Sequence, residues 1–207
     1  DPISKPKTKA APLTYRFFLN TIDLTIVIKT IKFPQMKILL TGATGYIGKR
    51  LLPVLIENGH RVVCCVRDVK RFNPSESIKQ YVDIINIDLL NTSSLNNIPK
   101  DIDGAFYLVH SMSSSTDYHQ LEHDSAVNFR NALNQTNVKH VVYLSGIVNE
   151  TALSDHLESR KNVESELEKG KYHFTALRAG IVIGSGSASF EIIRDLVEKL
   201  PIMITPK

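Results

Sequence analysis

The residues best placed to do chemistry in this 207-residue chain are Thr41-Gly42-Ala43-Thr44-Gly45-Tyr46-Ile47-Gly48. Three glycines spaced by three follow an apolar run and open a segment of helical period. That spacing lets the backbone turn tightly, approach a diphosphate closely and pack a helix on its strand. Free amides and the positive helix end would then hold the phosphate oxygens. A tight strand-helix turn with no ligand is the plainer reading of the same glycines.

The elements that must carry this loop can be read from periodicity. Apolar runs of strand length at residues 38–41, 61–67, 82–88, 105–110, 140–145 and 174–179 alternate with helical segments at 45–58, 118–134, 154–168 and 189–200. Near-continuous Val, Ile and Leu in the runs predicts strands buried on both faces. The fold class is therefore α/β, a doubly wound parallel sheet of the Rossmann type. The first helix places Ile47, Leu51, Val54 and Leu55 on one stripe and ends at Gly59, suited to a left-handed cap, while Pro53 threatens a kink.

Composition narrows the function. Apolar residues make up 43% and charged residues 22%, without an apolar run long enough for a membrane span. Residues 1–35 supply the whole net charge of +4, leaving 19 basic and 19 acidic side chains in residues 36–207. Neither nucleic acid nor a membrane is an expected partner. Residues 1–35 read as a leader, non-native or disordered, with a mitochondrial presequence as the rival reading. Residues 36–207 read as the dinucleotide-binding domain. Adjacent Cys64 and Cys65 read as reduced core residues of a cytoplasmic protein rather than a redox pair. No histidine spacing suits a metal; His119 and His123 read as surface residues.

The glycine run, following Met36-Lys37-Ile38-Leu39-Leu40, resembles the cofactor loop of extended and atypical short-chain dehydrogenases, most closely their atypical NAD(P)H-binding branch. That branch also contains a respiratory complex I accessory subunit and regulators of the nitrogen-repression type. Further matches are Asp88-Leu89, Tyr107-Leu108-Val109-His110-Ser111, Tyr143-Leu144-Ser145-Gly146 and the run from Leu177 to Gly184. Members usually continue into a substrate-binding portion, so the resemblance implies a chain that stops short of it. It implies a nicotinamide dinucleotide held by Gly42, Thr44, Gly45, Tyr46, Ile47 and Gly48, with Asp88 and Leu89 at the adenine and Val109, His110 and Ser111 along the ribose and nicotinamide. His110 reads equally as a strand-end histidine bonded to a neighbouring loop. At the end of the second strand Arg67 precedes Asp68, which favours NADP, with NAD as the other choice.

Catalysis departs from the resemblance. No Tyr in this chain has Lys four residues later, although reductases of this superfamily use that pair with a Ser. Ser145 occupies the serine position. Where the pair should lie, His156 and Arg160 share a stripe with Val163 and Leu167. His156 as general acid with Arg160 on a ribose hydroxyl or substrate carboxylate is one reading; a frayed helix start with Arg160 paired to Asp155 or Glu164 is the other. The expected function is an NAD(P)H-dependent oxidoreductase acting on a small carbonyl or hydroxyl substrate of unknown identity. The alternative is a non-catalytic dinucleotide sensor or assembly protein. A homo-oligomer is compatible with the sequence, which does not set the number of subunits.

Overall fold

In the computed structural model the described residues are 34–110, 118–147, 155–180 and 182–200, excepting the side chains at 155, 156 and 189. Residues 1–33 of the leader and Ser111 lie outside them.

Strand β1 (Lys37–Thr41) leads into helix α1 (Tyr46–Glu57), then β2 (Arg61–Val66), a short helix α2 (Glu76–Lys79) and β3 (Val82–Asn86). The chain then returns to β4 (Gly104–Tyr107), followed by α3 (Tyr118–Leu133), β5 (His140–Gly146), α4 (Asp155–Glu168), β6 (His173–Ala179) and α5 (Ala188–Lys199). The six strands pair in the order β3-β2-β1-β4-β5-β6, and every pairing is parallel. Winding therefore reverses between β1 and β4, the crevice where sheets of this kind bind ligands.

Two apolar layers follow from the two-residue period of the strands. On one face Ile38, Leu40, Val62, Cys64 and Val66 pack with Leu52 and Leu55 of α1. On the other Leu39, Val63, Cys65, Tyr107, Val141 and Tyr143 pack with Phe129 and Leu133 of α3 and Val163 and Leu167 of α4. Each fully buried Leu or Val adds about 1.5–3 kcal/mol of hydrophobic stabilisation. Cys64 and Cys65 thus point to opposite faces and are both free. Burial pushes the Cys64 thiol up to about 12 and raises Cys65 as well, helped by its neighbour.

Helix α1 runs unbroken through Pro53. It ends in a Schellman motif: Gly59, at φ +84°, donates its N–H to the Ile56 carbonyl, and His60 donates to that of Leu55. His60 Nδ1 then accepts from the Met36 N–H at 3.3 Å, tying the helix exit to the start of β1.

Strands β2, β3 and β4 are shorter than the apolar runs suggest. Arg67 follows β2, Asp88 lies in a turn beyond β3, and Val109 and His110 follow β4. An apolar run marks where the chain is buried, whereas a strand ends where its backbone pairing ends. Among the described residues no helix is long and apolar enough to cross a membrane.

Candidate functional site

A cavity of about 620 Å³ opens at the carboxyl ends of the strands. Residues from the ends of β1 to β5 line it, together with α3 and Val163 of α4.

Its β1 wall is made of backbone. Gly42 adopts φ +68°, and a Cβ there would meet the Leu108 carbonyl oxygen at 2.8 Å. At Gly48 a Cβ would sit 2.2 Å from the Gly42 carbonyl oxygen and 2.8 Å from the Ala43 Cα. Only glycine allows α1 to start this close to β1. Gly45 donates its N–H to the Gly42 carbonyl at 2.9 Å and forms the N-cap of α1, which has no side-chain cap and no acidic residue in its first turn. The positive end of α1 is left to whatever enters the cavity. Thr41 Oγ1 donates to the Phe106 carbonyl and accepts from the Leu108 N–H, holding β1 and β4 in register below the opening.

Sequence reasoning placed twelve residues at a cofactor. Gly42, Thr44, Gly45, Arg67, Asp88, Leu89, Val109 and His110 line this cavity. Gly48 is buried beneath it. Tyr46 faces elsewhere: the Arg50 guanidinium lies 3.9 Å from its ring centroid, and Arg50 also donates to the Ser185 carbonyl. Ile47 opens α1 without lining the cavity, and Ser111 is not described. Asp88 caps its own turn by accepting from the Leu90 N–H. Asp68 accepts from the Lys70 N–H at 2.9 Å, so its carboxylate serves a local turn and, among the described residues, makes no ion pair with exposed Arg67.

The β5 wall is made of side chains. Tyr143 lines the cavity, and Ser145 lies two residues on along the same face. Ser145 Oγ is buried and has no hydrogen-bond partner among the described residues. Burial pushes the Tyr143 phenol up to about 12 against the opposing pull of Arg160. Arg160 lies against the end of β5: a Cβ on Gly146 would meet its Cδ at 3.3 Å. Among the described side chains of helix α4, Ser159, Val163 and Leu167 are buried, and Arg160 borders them on the side that meets the end of β5. Glu164, offered as a partner for Arg160, instead binds Arg178 at 2.6 Å. The His156 side chain lies outside the described residues.

Sequence reasoning missed Glu122 and Ser159. Glu122, on α3, is 6% exposed; its Oε1 lies 2.8 Å from His110 Nδ1, and its Oε2 accepts from Ser159 Oγ. The signal available was a carboxylate on the inward stripe with Ala126, Phe129 and Leu133. His119 stacks on Tyr118 at 4.1 Å and His123 lies 3.3 Å from Asp124. Among the described residues no cluster suited to a metal forms.

This geometry can be set beside known proteins. Photosystem II assembly factor Ycf39 of Trieres chinensis is 25% identical over 176 residues, covering 82% of this chain and 53% of that protein. The chloroplastic divinyl chlorophyllide a 8-vinyl-reductase of Arabidopsis thaliana is 22% identical over 179 residues, covering 78% of this chain and 43% of its own length. This chain thus spans about half the length of these curated relatives. WbmH of Bordetella bronchiseptica, solved in complex with NAD+, superposes with a TM-score of 0.61 at 19% identity over 79% of this chain and 63% of that one. Such a likeness concerns the fold. The family itself is set by residues 34–199, which match the NmrA-like model from the entry to β1 to the end of α5; the chain belongs to the NmrA-like family.

Proposed function

We propose that this chain binds a nicotinamide dinucleotide and works as an NAD(P)H-dependent oxidoreductase on a small carbonyl or hydroxyl substrate. The observation that carries the reading is the β1–α1 cradle, where Gly42 and Gly48 exclude any Cβ and an uncapped helix end faces the cavity. The same cradle fits the coenzyme. The loop amides from Gly42 to Gly48 would hold its diphosphate, Asp88 and Leu89 its adenine end, and Val109, His110 and Ser111 its other half.

Arg67 supports NADP over NAD. It is exposed at the end of β2, its neighbour Asp68 is occupied locally, and Lys70 and Arg71 add positive charge in the next turn. A 2'-phosphate would gain a charge-assisted pair there.

When bound, the coenzyme supplies or accepts a hydride at the substrate carbon. In this reading Ser145 orients the substrate oxygen, Arg160 places positive charge beside it from the end of β5, and His156 is the general acid. The free, buried Cys64 and Cys65 go with a cytoplasmic location. A second reading, a dinucleotide-binding assembly protein, draws on the likeness to Ycf39 and on the missing Tyr and Lys. Consumption of NADPH over a carbonyl panel separates the two. Turnover that falls in Arg160→Ala supports the enzyme, whereas tight binding without turnover supports the assembly protein.

A further inference from the structure

We propose that Glu122 and His110 form a proton-handling dyad in the cavity wall, with His110 the group that donates a proton to a substrate oxygen and Glu122 and Ser159 the residues that position it. The proposal rests on the functional reading above for the coenzyme and the reaction, and it moves the acid from His156 to His110, supplying what a Tyr and Lys would otherwise provide.

Three observations carry it. A carboxylate as buried as Glu122, deep between α3 and α4, needs strong partners. It has one on each oxygen: His110 Nδ1 at 2.8 Å and the Ser159 hydroxyl. The imidazole reaches it from the end of β4, while His110 and Glu122 both line the cavity. Finally, the partners come from three places, the segment after β4, α3 and α4, so two packed helices hold the ring against the strand ends.

The chemistry follows from the ring. With Nδ1 set 2.8 Å from the carboxylate, we place the fixed proton on Nδ1 and assign the working proton to Nε2. In the reducing direction the Nε2–H bond breaks, an O–H bond forms on the substrate, and the ring is left neutral. The partly exposed edge of His110 then takes a proton from solvent. The electron pair reaching the substrate carbon is the one the coenzyme supplies. The nearby phenols suit this role less well. Burial above all keeps Tyr143 up near 12 and raises Tyr107 too, so neither phenol gives up its proton readily near neutral pH.

The test has two arms on the full chain. With ¹⁵N-histidine-labelled protein and no coenzyme, NMR should show neutral His110 as the Nδ1–H tautomer. Glu122→Leu should shift it toward Nε2–H, and Glu122→Gln, which keeps an acceptor and the side-chain shape, should shift it less. A mainly Nε2–H wild-type ring overturns the dyad. In the second arm NADPH oxidation is followed with aldehydes, ketones and quinones, hexanal, benzaldehyde and menadione among them. His110→Gln should lower kcat by about 100-fold or more, with a much smaller change in NADPH affinity. Glu122→Gln should lower kcat by about 10-fold. Wild-type kcat in His110→Gln, or a wild type that binds NADPH and reduces none of the panel, overturns the acid role. Loss of NADPH binding in the wild type is a different failure: it removes the functional reading and the acid role, while the tautomer measurement still decides whether the dyad exists.

Discussion

The two walls of the cavity are built from different materials. At β1 the surface that faces a ligand is backbone, shaped by Gly42, Gly45 and Gly48 and by the uncapped start of α1. At β4 and β5 it is side chain: His110, Glu122, Tyr143 and, behind them, Ser145, Ser159 and Arg160. A backbone wall can hold a group common to many ligands, such as a diphosphate, because amides are the same whatever residue bears them. A side-chain wall can differ between relatives without altering the sheet, and so is where substrate and reaction are decided.

The comparison breaks most easily at Gly48. Gly48→Val should remove NADPH binding and destabilise the fold by about 2–4 kcal/mol, because its Cβ would overlap backbone atoms that cannot yield. Thermal melting and a coenzyme titration read both effects; a stable variant with wild-type affinity would mean the loop is only a turn.

The side-chain wall depends on the packing of α4. Leu167→Ala should cost about 2–5 kcal/mol, since Leu167 is fully buried under that helix. Ile193→Ala on α5, whose side chain is 39% exposed, should stay within about 0.5 kcal/mol. Chemical denaturation compares the two, and equal losses would contradict the packing described for α4.

Arg67→Ala sharpens the comparison at the far rim. It should weaken NADPH by about 1.5–3 kcal/mol through one lost charge-assisted contact and leave NADH nearly unchanged. Equal losses for both coenzymes would remove Arg67 from the 2'-phosphate.

A smaller effect concerns pH. Tyr143 is held neutral by burial, its pKa raised to about 12 in the folded chain. A raised value adds stability that is complete below the ordinary tyrosine range and is lost as pH climbs from there through about 12. Tyr143→Phe should therefore flatten the alkaline limb of a stability-pH curve while leaving neutral pH little changed. An unaltered limb would show that the phenol is not held this way.

How much of this was legible in the sequence divides along the same line. The alternation of apolar runs and helical periods is a local property, so the strands and the long helices have ends within one residue of those expected everywhere except at β3 and β4. The larger displacements came at β3 and β4, where pairing ends before the apolar run does. The glycine loop was legible because its three constraints lie within seven residues. Glu122 and Ser159 were not: each is ordinary within its own helix, and they meet only because α3 and α4 pack side by side on one face of the sheet. Arg160 meets the end of β5 from the side of α4 that carries Val163 and Leu167, whereas Ser159, which borders the same stripe, carries no sequence signal of its own. The two cysteines were read correctly as free, and strand alternation supplies the reason.

Calorimetric titration of the full chain with NADPH, repeated on Gly48→Val at a temperature where that variant remains folded, measures the central claim most directly. The account predicts one saturable site in the wild type and none in the variant. A folded wild type that takes up no NADPH or NADH, or a variant that binds as well as the wild type, would contradict it.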